Sequence, residues 1–560
     1  TAGRWPDRPA VISGGRTVNW GELNELVNRY AHTFKEVGLS HGDTASVMLE
    51  NRVELIATIL ALGKLGVTAA LINTGLVGRS LVHCASITAS RLCVFGEECL
   101  PAIGDVHPEL DMECGFYFVP DAGKVAVPAW AEDLARVSAD ASAENPPDTG
   151  QVTLGDVALN IFTSGTTGLP KAAVVSNFRL LLSARLGQIS GLQANERDCI
   201  YLCLPLYHGT ALFFGLGTAA LSGASMFLRR KFSASSFLPE VREHNATCFV
   251  YIGEICRYLL NSPAQLGDDD NPLQRMMGNG LRPDIWAQFK QRFGIRRVSE
   301  FYGASEGNIA FVNFFNKDCT VGTTPLPVKL IRYDVDADEI ARDARGFCVE
   351  VDPGEPGLLL GKITDRTRFE GYTSDDATES KILRDALRPG DAWFNTGDLL
   401  KTVDVGFSLG LKHYQFVDRV GDTFRWKSEN VSTNEVGELL GGHPQIAFSN
   451  VYGVAVPGAD GRAGMAALVL QEGAGELDLA SFSRHVREVL PAYARPVFLR
   501  ILPRLDTTGT FKMVKGELRK QGYDPALVED PLYVLKPGAA EYEPLDAAFA
   551  AEVAAGRGGY

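Results

Sequence analysis

Apolar positions set the first elements of the chain. From Leu23, residues Leu26, Val27, Tyr30, Ala31 and Phe34 recur at three- and four-residue steps, and Gly38 closes the run. That spacing puts one apolar stripe along a helix. Ala45 to Leu49 then reads as a strand, 52–65 as a helix and Val67 to Ile72 as a second strand. This is the rhythm of a parallel sheet with crossover helices, so the fold class is α/β. Two longer apolar runs, Leu55 to Ile72 and Leu212 to Leu228, are broken by glycines, and the first also holds Lys64. Both read as buried helix plus strand, not as membrane spans. The polar, Pro-containing stretch Ala141 to Gly150 reads as a surface loop or linker. Gly-punctuated, β-rich text from Gly354 to Leu400 predicts a small barrel or sheet. After Asp418 a charged loop leads into a compact α/β segment.

At ~150 residues per unit, 560 residues allow three or four structural units. With 45% hydrophobic and 22% charged residues, disorder and coiled coil are excluded for the whole chain. The net charge of −14 argues against a global grip on nucleic acid or anionic lipid, but leaves room for a local basic pocket. The ten Cys form no CxxC and none follows Cys348, which fits a reducing cytosol. The opening TAGRWPDRPA lacks signal-peptide character.

The strongest local signal runs from Thr163 through Ser164, Gly165, Thr166, Thr167 and Gly168 to Lys171. Two glycines let backbone N–H groups converge, four hydroxyls add donors, and Lys171 adds a mobile cation, a set suited to a polyphosphate. The GK[ST] ending of a Walker A loop is absent. The β-branched run that follows, up to Ser176, makes the loop a strand-to-strand connection. A plain surface hairpin is the competing reading.

At this loop the chain resembles the adenylate-forming superfamily. The resemblance continues at Tyr302-Gly303-Ala304-Ser305-Glu306, Thr396 to Asp398, Asp418-Arg419 and Thr508 to Lys512. The stretches 251–258, 278–284, 422–427 and 490–496 look like the fatty-acid transport protein branch, which holds the very-long-chain acyl-CoA synthetases. The resemblance implies a large N-terminal domain, 1–417, with two α/β subdomains and a small β-barrel. A hinge at 418–422 and a mobile lid, 423–560, would follow. It also implies two steps: a carboxylate attacks the α-phosphorus of ATP, and coenzyme A thiolate then displaces AMP.

By resemblance Glu306 holds Mg²⁺ with Thr166, Tyr302 stacks on adenine, and Asn279 and Gly280 line the adenine edge. Asp398 and Arg419 would hold the ribose, although an Asp in a Thr-Gly-Asp turn is common without any ligand. His208 would flank the carboxylate, with Tyr207 and Phe213 in the acyl pocket. A lone His in an apolar stretch also fits a satisfied core residue. Lys512 resembles the adenylation lysine of the lid. Gly421 sits at the hinge position, and Trp426, Ser428 and Glu429 belong to the loop lining the thiol channel. The branch usually has Gly where this chain has Ser428. A side chain there raises the question of whether both half-reactions are carried out.

The expectation is an ATP-, Mg²⁺- and CoA-dependent ligase of a hydrophobic acid of fatty, steroid or terpenoid type. It is expected to be cytoplasmic, peripheral to a membrane at most, without nucleic-acid partners and with its oligomeric state open. The rivals are an enzyme of one half-reaction or one loading a carrier protein, and a non-catalytic lipid-binding or transport protein on the same fold.

Overall fold

The computed structural model describes residues 1–121, 125–163, 169–334, 339–427, 429–459, 461–505 and 515–560, with Asn430 by its backbone alone. The first amphipathic stripe folds as the helix Trp20–Glu36. Asn19 caps it: its side chain accepts from Glu22 N, and the Glu22 carboxylate accepts from Asn19 N. The strand, helix and strand that follow are Thr44–Met48, Val53–Leu65 and Thr68–Leu71. Residues 141–150 are no free linker. Asn28 donates to Ala143 O at 2.6 Å, Lys64 reaches Asn145 at 2.6 Å and Lys35 pairs with Asp148 at 2.7 Å, strapping the loop to the helices Trp20–Glu36 and Val53–Leu65.

Two largely parallel sheets with antiparallel edges build the N-terminal part. One has seven strands, in the spatial order Glu132–Asp133, Phe116–Val119, Leu92–Gly96, Thr44–Met48, Thr68–Leu71, Val157–Thr163, Lys171–Ser176. The other has eight, with Ser225–Leu228, Cys199–Leu202, Cys248–Ile252, Arg275–Asn279 and Arg297–Gly303 parallel at its centre. The run from Leu212 becomes a π-helical turn, Thr210–Gly217, a short helix ended by Gly223 at φ +77°, and the strand Ser225–Leu228. Among the described residues no helix is long and apolar enough to cross a membrane. The Gly-punctuated region forms an antiparallel five-stranded sheet around the long strand Ala392–Val403, with His413–Arg419 along one side.

From Phe424 onward a second core gathers Tyr452, Met465, Phe482, Phe498 and Val534, apart from the N-terminal core. It is built on a mixed sheet that includes Ile446–Ala455, Arg462–Leu470 and Phe498–Ile501. The seam between the two parts is largely polar and closely fitted. The helix Thr433–Gly441 meets Pro283–Arg292, and a Cβ on Gly441 would lie 3.2 Å from Arg257 Nη1. Arg257 pairs with Asp284 at 2.6 Å, and Asn261 donates to Ala447 O at 3.0 Å. Tyr258 and Phe448 add one ring contact, with centroids 4.7 Å apart.

Candidate active site

The carboxyl ends of the eight-stranded sheet's central strands, at Ile252, Asn279 and Gly303, face one cavity, the usual ligand position in open α/β sheets, and the edge pair of the other sheet lines it through Val157, Val174 and Ser176. Val157–Thr163 and Lys171–Ser176 pair antiparallel, with Thr163 opposite Lys171, so the hydroxyl-rich loop does join strand to strand. Ser164, Gly165, Thr166, Thr167 and Gly168 lie outside the described residues. Lys171 Nζ sits 5.4 Å from the centroid of the Tyr372 ring.

The strand Arg297–Gly303 delivers Tyr302, and Gly303, Ala304 and Ser305 follow it along the cavity wall, with Glu306 next in the chain. Tyr302 donates to Asp398 Oδ2 at 2.7 Å, and Arg419 Nε lies 3.3 Å from Asp398 Oδ1. Strand register explains the second contact, because Asp398 pairs directly with Arg419. Burial pushes the Asp398 carboxyl up, against the opposing pull of Arg419 and Tyr302. The Tyr302 ring also packs on Phe416, with centroids 6.3 Å apart and planes 28° off parallel. Glu306 Oε1 accepts from the Tyr372 hydroxyl at 2.8 Å.

Asn279 ends the strand Arg275–Asn279, and Gly280 follows at φ +84°, a conformation that favours glycine. This corner is held by a residue that spacing and resemblance did not single out. Glu300, 3% exposed, accepts from Gly280 N, from Leu281 N at 3.1 Å and from the Tyr251 hydroxyl. Burial raises its carboxyl to about 8. A glutamate inside an otherwise buried strand was the available signal.

The cavity measures about 870 Å³. Leu186, Phe213, Phe214, Phe301 and Phe311 supply apolar wall, His208, Asn279 and Tyr302 polar groups, and Arg179, Arg366, Arg368, Asp365 and Glu370 line it with charge. Leu154, Phe178 and Leu182 line it as well and are 54%, 54% and 47% exposed, so the cavity opens to the surface there. His208 packs on Tyr207 with ring centroids 4.9 Å apart. Tyr207 itself is buried.

The residues expected at the hinge and in the lid are placed differently. In this conformation Gly421 has no positive φ, and a Cβ there would meet nothing within 4 Å. Asp418 is buried and accepts from Thr433 N at 2.6 Å. Asp422 next to it pairs with Arg519 at 2.8 Å and Lys515 at 3.4 Å, ties that the motifs did not reveal. Trp426 lies in the C-terminal core beside Tyr560, with centroids 6.3 Å apart, and is not brought to the cavity. Its strand partner is Glu429, across a turn that holds Lys427 at φ +52°. Ser428 and Lys512 lie outside the described residues.

Comparison with known proteins agrees with this geometry. Residues 1–362 match the AMP-binding enzyme family and residues 435–512 the AMP-binding enzyme C-terminal domain. The chain is 42% identical to the medium/long-chain-fatty-acid–CoA ligase FadD6 of Mycobacterium tuberculosis, over 99% of this chain and 90% of that one. It is 38% identical to long-chain fatty acid transport protein 1 of Mus musculus, over 99% and 86%. Among solved structures, an anthranilate CoA ligase with bound anthranoyl-AMP aligns at TM-score 0.78 and 20% identity, covering 92% of this chain and 94% of that one. A benzoate CoA ligase of Burkholderia xenovorans aligns at 0.76 and 19%, covering 92% and 98%. By these matches over nearly its whole length, the chain belongs to the adenylate-forming, AMP-binding enzyme family, in the branch of FadD6 and the long-chain fatty acid transport proteins.

Proposed function

We propose that the protein is an ATP-dependent acyl-CoA ligase for medium- to long-chain fatty acids. One observation carries the substrate class: the cavity whose lining joins half-exposed Leu154, Phe178 and Leu182 with the apolar Leu186, Phe213 and Phe214 and with the polar His208, Asn279 and Tyr302. A chain of methylenes gains roughly 0.8 kcal/mol for each one buried there, while its carboxylate stays at the polar groups. The name of the relative FadD6 supports a fatty acid over the steroid and terpenoid alternatives.

In this reading the carboxylate attacks the α-phosphorus of ATP and the bond to pyrophosphate breaks. CoA thiolate then adds to the acyl carbon and AMP leaves. Lys171 and the loop 163–168 offset phosphate charge, Tyr302 stacks on adenine beside Asn279 and Gly280, and Asp398 with Arg419 receives the ribose. His208 orients the carboxylate. Lys512 supplies the positive charge for adenylation from the lid, 423–560. The lid turns at 418–422 around Gly421 and presents Trp426, Ser428 and Glu429 to the thiol.

The donor set at Glu306 fits Mg²⁺. A carboxylate with one oxygen already held by Tyr372 keeps its other oxygen for a hard cation, and the neighbouring loop is rich in hydroxyls. When bound, that ion would neutralise phosphate charge. The protein is placed in the cytoplasm, peripheral to a membrane at most.

The test is a panel of acids of graded chain length with ATP and CoA, read by mass spectrometry for adenylate and thioester separately. AMP and pyrophosphate with a fatty acyl-CoA is the expected outcome. ADP as the main product, or no turnover with any acid, defeats the reading.

A further inference from the structure

Tyr372 touches two parts of the phosphate end that come from different segments of the chain. Its hydroxyl donates to Glu306 Oε1 at 2.8 Å, and its ring lies 5.4 Å below Lys171 Nζ. The residue is itself tightly held. Tyr372 forms a β-bridge with Ala173, flanked by Val174 N to Gly371 O and Thr373 N to Ala172 O, both at 3.0 Å. Gly371 N reaches the Glu306 carbonyl at 3.4 Å. The ring is 8% exposed and packs with Ala173 and Ala377 in a small cluster of its own. A rigid aromatic in this setting fixes a carboxylate through its edge and an ammonium through its face.

We propose that Tyr372 is a positioning residue that sets the metal-binding carboxylate of Glu306 and the phosphate-binding ammonium of Lys171 at a fixed separation. It rests on the reading of Glu306 and Lys171 given above. Without the hydroxyl, Glu306 is free to rotate while Lys171 keeps its platform. Without the ring, both are released.

The experiment measures calorimetric affinity for α,β-methylene-ATP, which cannot be cleaved, with Mg²⁺ and with EDTA. Tyr372→Phe should lose about 10-fold of the Mg²⁺-dependent gain, as when a hydrogen-bond partner of a metal ligand is removed. In EDTA it should bind like the parent. Tyr372→Leu should weaken binding in EDTA too, by about 3-fold, for the lost cation–π contact. Glu306→Gln is the control: if it leaves the Mg²⁺ gain intact, the metal reading of Glu306 is wrong. If Glu306→Gln abolishes the gain and Tyr372→Phe does not reduce it, Tyr372 has no positioning role. Equal losses for Tyr372→Phe with and without Mg²⁺ also overturn the proposal, because a merely structural residue would behave that way. Tyr372→Phe keeps the ring and its packing, so the test stands even where Tyr372→Leu does not fold.

Discussion

The Tyr302 hydroxyl donates to one oxygen of Asp398 at 2.7 Å while Arg419 approaches the other at 3.3 Å. Both carboxylate oxygens are thus engaged before a nucleotide arrives, and a ribose diol must share them. Asp398→Ala should weaken nucleotide binding by roughly 1–3 kcal/mol, the cost of leaving polar partners unmatched. Affinity for the free acid should hardly change. Equal losses for both ligands would make Asp398 a folding residue only.

Glu300 gives the stability curve a pH signature. Its folded-state carboxyl, at about 8, stands above the ordinary value of 4.5, so between these pH values the folded state holds one proton more. The stabilisation is full below 4.5 and is lost as pH rises through 8, at about 1.4 kcal/mol per pH unit. Glu300→Gln removes the titration and keeps an oxygen for the two amides. Denaturant midpoints of parent and variant should therefore move apart in the variant's favour from pH 5 to pH 8. A constant difference across that range would count against a buried, protonated Glu300.

The role proposed for Lys512 separates the half-reactions. Lys512→Ala should slow adenylate formation by about 10²–10³-fold, the usual cost of one preorganised charge-stabilising donor. Given ready-made acyl-adenylate, the same variant should make thioester at near the parent rate. Should both steps slow alike, the lid does not alternate in the way proposed.

The cavity mouth can be narrowed without touching the core. Leu182 is about half exposed, so Leu182→Trp should leave the melting temperature nearly unchanged. It should lower kcat/KM for long acids about 10-fold and spare short ones, with KM for ATP constant. A uniform loss across chain lengths would mean that acids do not enter past Leu182.

The local elements were legible because their information is local. The three- and four-residue steps up to Phe34 and the β-branched run up to Ser176 fold as read. The position of the phosphate loop between two strands followed from the same run. What stayed hidden is long-range pairing of polar groups. Glu300 meets donors 20 and 49 residues away, and Tyr372 meets Glu306 from 66 residues away, distances at which no spacing rule operates. Trp426 shows the converse. Its motif is local, but its burial against Tyr560 depends on the far end of the chain.

The polar contacts beneath Thr433–Gly441 have a consequence for the proposed swivel of the C-terminal part. Among the described residues the contacts across it include the arginine Arg257 beside a bare glycine, side-chain amides on a carbonyl and on each other, and one ring pair. Water can replace the polar ones nearly like for like, so in the proposed rotation bound substrate, more than the fold, would tip the balance between orientations. The glycine is the fulcrum of that balance. A valine at position 441 would act as a shim, biasing the resting population away from this orientation while both cores remain intact.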